Sequence, residues 1–175
     1  MKAIATAAFL LLISSPALFA QEGTKHAASK PVVSDIIDAT GQTVGTATLS
    51  EWPQGVKIKL DIRNLPPGPH LMHIHEFAKC DPPDFKSAGA HFMGMNHSDH
   101  GPMGMPAGDI PNFVLSVATD GTAHVSVIAP NVTLGTDGNS VFSNGGTALV
   151  FHAVATQVTA SAPPRIACAV ITRPQ

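Results

Sequence analysis

Long helices are missing from this sequence. No extended stretch carries apolar residues at the 3.6-residue period of an amphipathic helix. No run reaches the ~20 apolar residues that a membrane-spanning helix needs. The N-terminal apolar run, Ala5 to Ile13, follows Lys2 and precedes small residues at Ala17 and Ala20. That order is a secretory signal peptide over residues 1–20. Cleavage falls after Ala20 or after Ala17, since Leu18 is a poor residue two places before the first site. The mature chain would then be periplasmic or secreted, with no membrane segment.

Positive charge is also scarce. The net charge is −2, and loss of Lys2 makes the mature chain slightly more acidic. Nothing is basic enough to hold nucleic acid. Internal repeats are absent, and no composition shift marks a second domain. Residues 21–30 lack apolar periodicity and read as a flexible tail, with His26 solvated. Residues 31–175 are the size of one domain. Cysteine occurs only at Cys80 and Cys168. In an exported chain a pair of cysteines favours a disulfide. Free thiols or metal thiolates are the rival readings, weaker outside the cytosol.

What the chain does have is short alternating runs. They are residues 32–38, 43–52, 55–65, 70–76, 112–119, 122–130, 147–153 and 165–172. In the third, Val56, Ile58, Leu60 and Ile62 alternate with Lys57, Lys59, Asp61 and Arg63. Such a strand has one wet and one buried face. Turn signals separate the runs, as in "DATGQ" and "TDGT". The expected fold is all-β, a sandwich or barrel of about eight antiparallel strands. Residues 76–111 break the rhythm with Gly, Pro, His and Met, and a loop this long is usually functional.

Histidine is the chemistry-bearing residue. In "GPHLMHIHEF", His73 and His75 sit two apart, so on a strand they share a face. Their Cα atoms would lie roughly 6.6 Å apart, close enough for two imidazoles to reach one ion. His70 has the parity of Met72 and Ile74 and points to the core. An H-x-H pair alone is weak evidence. The loop adds His91, His97, His100 and Asp109, a later strand adds His152, and Arg165 lies three residues before Cys168. This imidazole pool suits copper or zinc.

The motifs "GPHLMHIHEFAKC", "SAGAHF", "HGPM…AGDIPN", "ALVFHA" and "RIACAVI", in this order over residues 31–173, resemble the copper/zinc superoxide dismutase family. The resemblance implies a Greek-key β-barrel that converts superoxide to oxygen and hydrogen peroxide. It implies His73, His75, His91 and His152 as copper ligands, with His91 bridging to zinc and carrying a proton. It implies Asp109 as a zinc ligand, Arg165 as the guide for the superoxide anion, and Cys80–Cys168 as the disulfide.

Three departures stand out. The zinc histidine expected three residues before Asp109 is Pro106. Either His91, His97, His100 and Asp109 restore a three-histidine, one-aspartate zinc site, or that site is lost and only copper remains. An acidic residue expected four places after His152 is Thr156, and no charge lies between His152 and Arg165. The anion-steering loop therefore looks truncated, leaving Arg165 with Lys79 and Lys86 as helpers. Third, Met93, Met95, Met103 and Met105 sit in the loop, where soft thioethers would suit Cu(I). Flexible apolar filler is the bland alternative. A non-enzymatic copper-binding or copper-chaperone protein on the same fold is the rival function. Monomer and homodimer both fit the pattern.

Overall fold

The computed structural model describes residues 30–96, 104–153 and 163–175. Eight strands carry the fold: β1 (Val32–Asp38), β2 (Thr43–Trp52), β3 (Gly55–Ile62), β4 (Gly68–His75), β5 (Leu115–Val117), β6 (Ala123–Ala129), β7 (Thr147–Ala153) and β8 (Arg165–Ile171). They form one antiparallel sheet in the order β5-β4-β7-β8-β1-β2-β3-β6. The sheet curls into a nearly closed Greek-key barrel, and a tight turn at Ala118–Thr122 joins the two end strands.

Alternation explains the barrel wall. Val56, Ile58, Leu60 and Ile62 of β3 are all fully buried, while Lys59 is exposed. Each such side chain contributes about 1.5–3 kcal/mol by leaving water. The interior also takes Leu49, Met72, Ile74, Leu149, Phe151 and Ile171. β3 and β5 fall furthest short of their expected runs. β3 stops at Ile62 because Asn64 adopts a left-handed conformation (φ 61°) and turns the chain. β5 starts at Leu115 because Asn112 does the same (φ 59°) just after Pro111.

β7 departs from alternation: every residue from Thr147 to His152 is buried. One face meets the barrel core. The other meets a second apolar cluster of Phe85, Ala88, Ala148, Val150 and Cys168. The long loop thus covers the outside of β7 and β8, and a strand covered on both faces reads as a continuous apolar run. The Cys80–Cys168 disulfide ties the loop to β8, with Cα atoms 5.7 Å apart.

Candidate metal centre

The sheet register places the histidines. Antiparallel partners point to the same face, and Leu71 pairs with His152 while His73 pairs with Val150. His152 is therefore the diagonal neighbour of His73, on the face that His75 shares. A register shift between Phe151 and His152 brings Arg165 of β8 opposite His152. His91 enters from the loop through an isolated bridge to His75.

The loop is threaded tightly at this point. Phe92 N–H donates to the Ile74 carbonyl (2.9 Å), Ile74 N–H to Gly108 (2.9 Å), and Gly108 N–H to Phe92 (2.8 Å). Position 108 must be glycine, because a Cβ there would run into the Ile74 carbonyl oxygen. Gly89 adopts φ 79° and packs against the Glu76 carboxylate, leaving no room for a side chain. Glu76 in turn accepts the Ala90 N–H (3.1 Å), which holds the backbone just before His91.

His73, His75, His91 and His152 converge. One nitrogen of each lies within 4.8 Å of the others. The ring centroids of His73 and His91 are 4.2 Å apart, and those of His75 and His91 are 4.9 Å apart. The outer nitrogens are engaged. His75 Nδ1 donates to the Gly89 carbonyl (3.0 Å), His152 Nδ1 to Pro163 (3.2 Å) and His91 Nδ1 to Asp109 Oδ1 (2.7 Å). The inner nitrogens are not: His73 Nδ1, His75 Nε2 and His152 Nε2 are buried without any hydrogen-bond partner.

Buried polar atoms without partners cost about 1–3 kcal/mol each. Three around one point, with the second nitrogens of His75 and His152 filled from behind, is the arrangement of imidazoles that ligate a metal. Two nitrogens about 2 Å from a shared ion stand at most ~4 Å apart, so the widest pair needs to draw in by less than ~1 Å. Protonation does not compete near neutral pH. Burial first, then the neighbouring His91 and His152, push His73 down to about 4. Burial pushes His75 down to about 3 against the hydrogen bond to Gly89. Burial also lowers His152. The lone pairs are therefore free for a cation.

Arg165 borders the centre. Its Nη1 donates to the Phe85 carbonyl and its Nη2 to the Gly89 carbonyl, each at 2.7 Å. Partial burial lowers its pKa and Asp84 opposes that, yet a guanidinium stays charged. A cleft of about 430 Å³ runs between Pro83, Asp84, Lys86, Pro163, Pro164 and Arg165. Lys86 pairs with Asp84 (2.7 Å) on the exposed rim of this cleft, which offsets its charge.

His70 does turn inward. It is buried, its Nε2 donates to the Pro66 carbonyl (2.7 Å), and its Nδ1 lies 3.2 Å from the His152 carbonyl. His75 points away from the barrel but is only 1% exposed, because the loop at residues 89–91 roofs it. Asp109 sits on His91, and Pro106 offers only its carbonyl, which accepts the Asp109 N–H (3.1 Å). His97, His100 and Thr156 lie outside the described residues. Sequence reasoning did not find the Gly89, Pro163 and Phe85 carbonyls, since a main-chain oxygen leaves no signature in residue identity. The glutamate after H-x-H was a visible signal for Glu76.

Residues 43–171 match the family model described as copper/zinc superoxide dismutase (SODC). The chain belongs to the copper/zinc superoxide dismutase family. It is 43% identical to Superoxide dismutase [Cu-Zn] 1 of Aquifex aeolicus, over 87% of this chain and 89% of that one. It is 39% identical to Superoxide dismutase [Cu-Zn] of Caulobacter vibrioides, over 75% and 79%. Among solved structures, a double mutant of a SOD-like protein from Bacillus subtilis superposes with a TM-score of 0.70 at 30% identity. That match covers 83% of this family member and 100% of the other chain.

Proposed function

We propose that this protein is an exported superoxide dismutase, with residues 1–20 as its signal peptide and residues 31–175 as its catalytic domain. One observation carries the reading: four imidazole nitrogens face one point, three of them buried without partners, beside a tethered guanidinium. His73, His75, His91 and His152 would hold copper, His73 through Nδ1 and the other three through Nε2. Copper, when bound, supplies the one-electron chemistry by which two superoxide anions and two protons become oxygen and hydrogen peroxide.

The chain's own residues do the rest. Arg165 presents a fixed positive fork beside the centre and orients the anion. Its two carbonyl tethers hold that fork still, so little freedom is lost when the anion binds. The Asp109 carboxylate accepts from His91 Nδ1, which sets the tautomer and aims Nε2 at the other three rings. Gly89 and Pro163 do the same for His75 and His152. Zinc is a different matter. The described residues supply His91 and Asp109, two of the four donors a tetrahedral zinc requires.

The copper-loaded protein should dismute superoxide, and His73→Ala should abolish the activity. An inactive, copper-loaded wild type overturns this reading. The exposure of Met95 and Met105 favours a second one, a copper-binding or copper-chaperone protein without catalysis. That reading requires a tight Cu(I) site that survives His73→Ala.

A further inference from the structure

The two legs of the metal loop leave the histidine centre side by side. Gly108 N–H donates to the Phe92 carbonyl, and a Cβ on Gly94 would lie 2.9 Å from Ala107 Cβ. Residues 93–95 therefore run beside residues 105–107. Along this rim Met93 and Met95 lie on the first leg, two to four residues from His91, and Met105 lies on the second, four from Asp109.

The rim is not packed as a core would be. Met95 is 73% exposed and Met105 57% exposed, whereas Met72 inside the barrel is 1% exposed. Yet Met95 is held. Its N–H donates to Asn139 Oδ1 (2.7 Å), and its Cγ and Sδ lie over Gly138, where a Cβ would overlap them. Met93 lines a cleft of about 320 Å³ with Glu76, Phe92, Gly138 and Asn144. A methionine that fills a gap must be buried to gain the roughly 1.5–3 kcal/mol that apolar burial gives. Met95 and Met105 forgo most of that gain while the backbone and Gly138 fix one thioether in place. What they present instead is soft sulfur, the donor type that selects Cu(I) over harder cations.

We propose that Met93, Met95 and Met105 form a thioether site for a soft monovalent cation, Cu(I), at the edge of the histidine centre and separate from it. The ion binds without change of oxidation state, and no proton is exchanged because thioethers carry none. Its position beside His91 makes it a holding place for copper outside the four imidazoles. The inference does not depend on whether the histidine centre turns over superoxide.

The test uses the full mature chain, labelled at the methionine methyls, with Ag(I) as a redox-inert probe. The Met93, Met95 and Met105 methyl resonances should shift together, and that of Met72 should stay in place. Replacing the three by leucine should remove one equivalent of Cu(I) in competition with a chromophoric chelator. The Cu(II) electron paramagnetic resonance of the histidine centre should persist in that variant, which shows that it folds. Unshifted rim methyls, or a triple leucine variant that binds as much Cu(I) as wild type, overturn the site.

Discussion

His75 and Arg165 hold the same atom. The Gly89 carbonyl oxygen accepts from His75 Nδ1 at 3.0 Å and from Arg165 Nη2 at 2.7 Å. One main-chain oxygen thus sets the orientation of an imidazole in the histidine centre and the guanidinium beside it. Arg165→Lys keeps the charge but replaces the planar fork by a point charge on a flexible stem. It cannot span Phe85 and Gly89 with the same geometry. Dismutation should fall roughly tenfold, about 1.4 kcal/mol in barrier, with copper content unchanged. Stopped-flow superoxide decay alongside metal analysis checks this, and full activity in the lysine variant would count against the fork.

Asp109 acts through His91. Without its carboxylate, His91 Nδ1 loses the 2.7 Å contact that fixes ring and tautomer. Asp109→Ala should weaken copper binding by about 10–100-fold. The Cu(II) paramagnetic resonance spectrum should also change, a response that a merely destabilised fold would not produce. An unchanged spectrum and affinity would remove Asp109 from its positioning role.

Gly108→Ala is expected to damage the frame rather than the chemistry. The new Cβ meets the Ile74 carbonyl oxygen, which is backbone and cannot swing away. Overpacking of this kind costs typically ~1–3 kcal/mol. Thermal unfolding of the metal-free variant measures it, and a melting temperature equal to wild type would contradict the close approach.

The disulfide closes a separation of 88 residues and pins the loop that bears Phe85, Gly89 and His91. Cys80→Ser with Cys168→Ser should cost about 4–5 kcal/mol in the chain-entropy account. Activity should fall further than stability alone explains, because both carbonyl tethers of Arg165 lie on that loop. A variant that stays folded and fully active would separate the bridge from the site.

Acid should loosen the metal-free protein. Its buried histidines are held at about 4 and about 3, below the ordinary 6.5 that the unfolded chain restores. The unfolded chain then binds more protons between these values, so stability falls as pH falls. The contribution is whole above about 6.5 and drains as pH falls through about 4. Urea midpoints at a series of pH values should decline across this window. Substituting His75 by Gln should flatten the decline, and an unaltered slope would exclude His75 as its source.

Much of this was legible in advance because the signals are local. β1 and β2 coincide with their alternating runs, since a one-sided strand writes its period into its residues. The parity of His70 against His73 and His75 likewise follows from the two-residue repeat. β7 was readable only as an apolar run: the reason it lacks a wet face is Phe85, about 65 residues earlier in the chain. The tethers of Arg165 were not legible at all, because Phe85 and Gly89 contribute oxygens that every residue possesses.

By itself, the sequence determined the strand periods and the side chains available as metal donors, and it put Pro106 where the family resemblance implies a zinc histidine. Only the tertiary structure decided which nitrogens face inward and which are occupied from behind. It also decided that His75 is roofed over while Met95 stands in water. The reason is that donor chemistry belongs to a residue, whereas exposure and orientation belong to whatever packs against it. In this barrel the packing partner is the long loop, held at Cys168, Ile74 and Gly108.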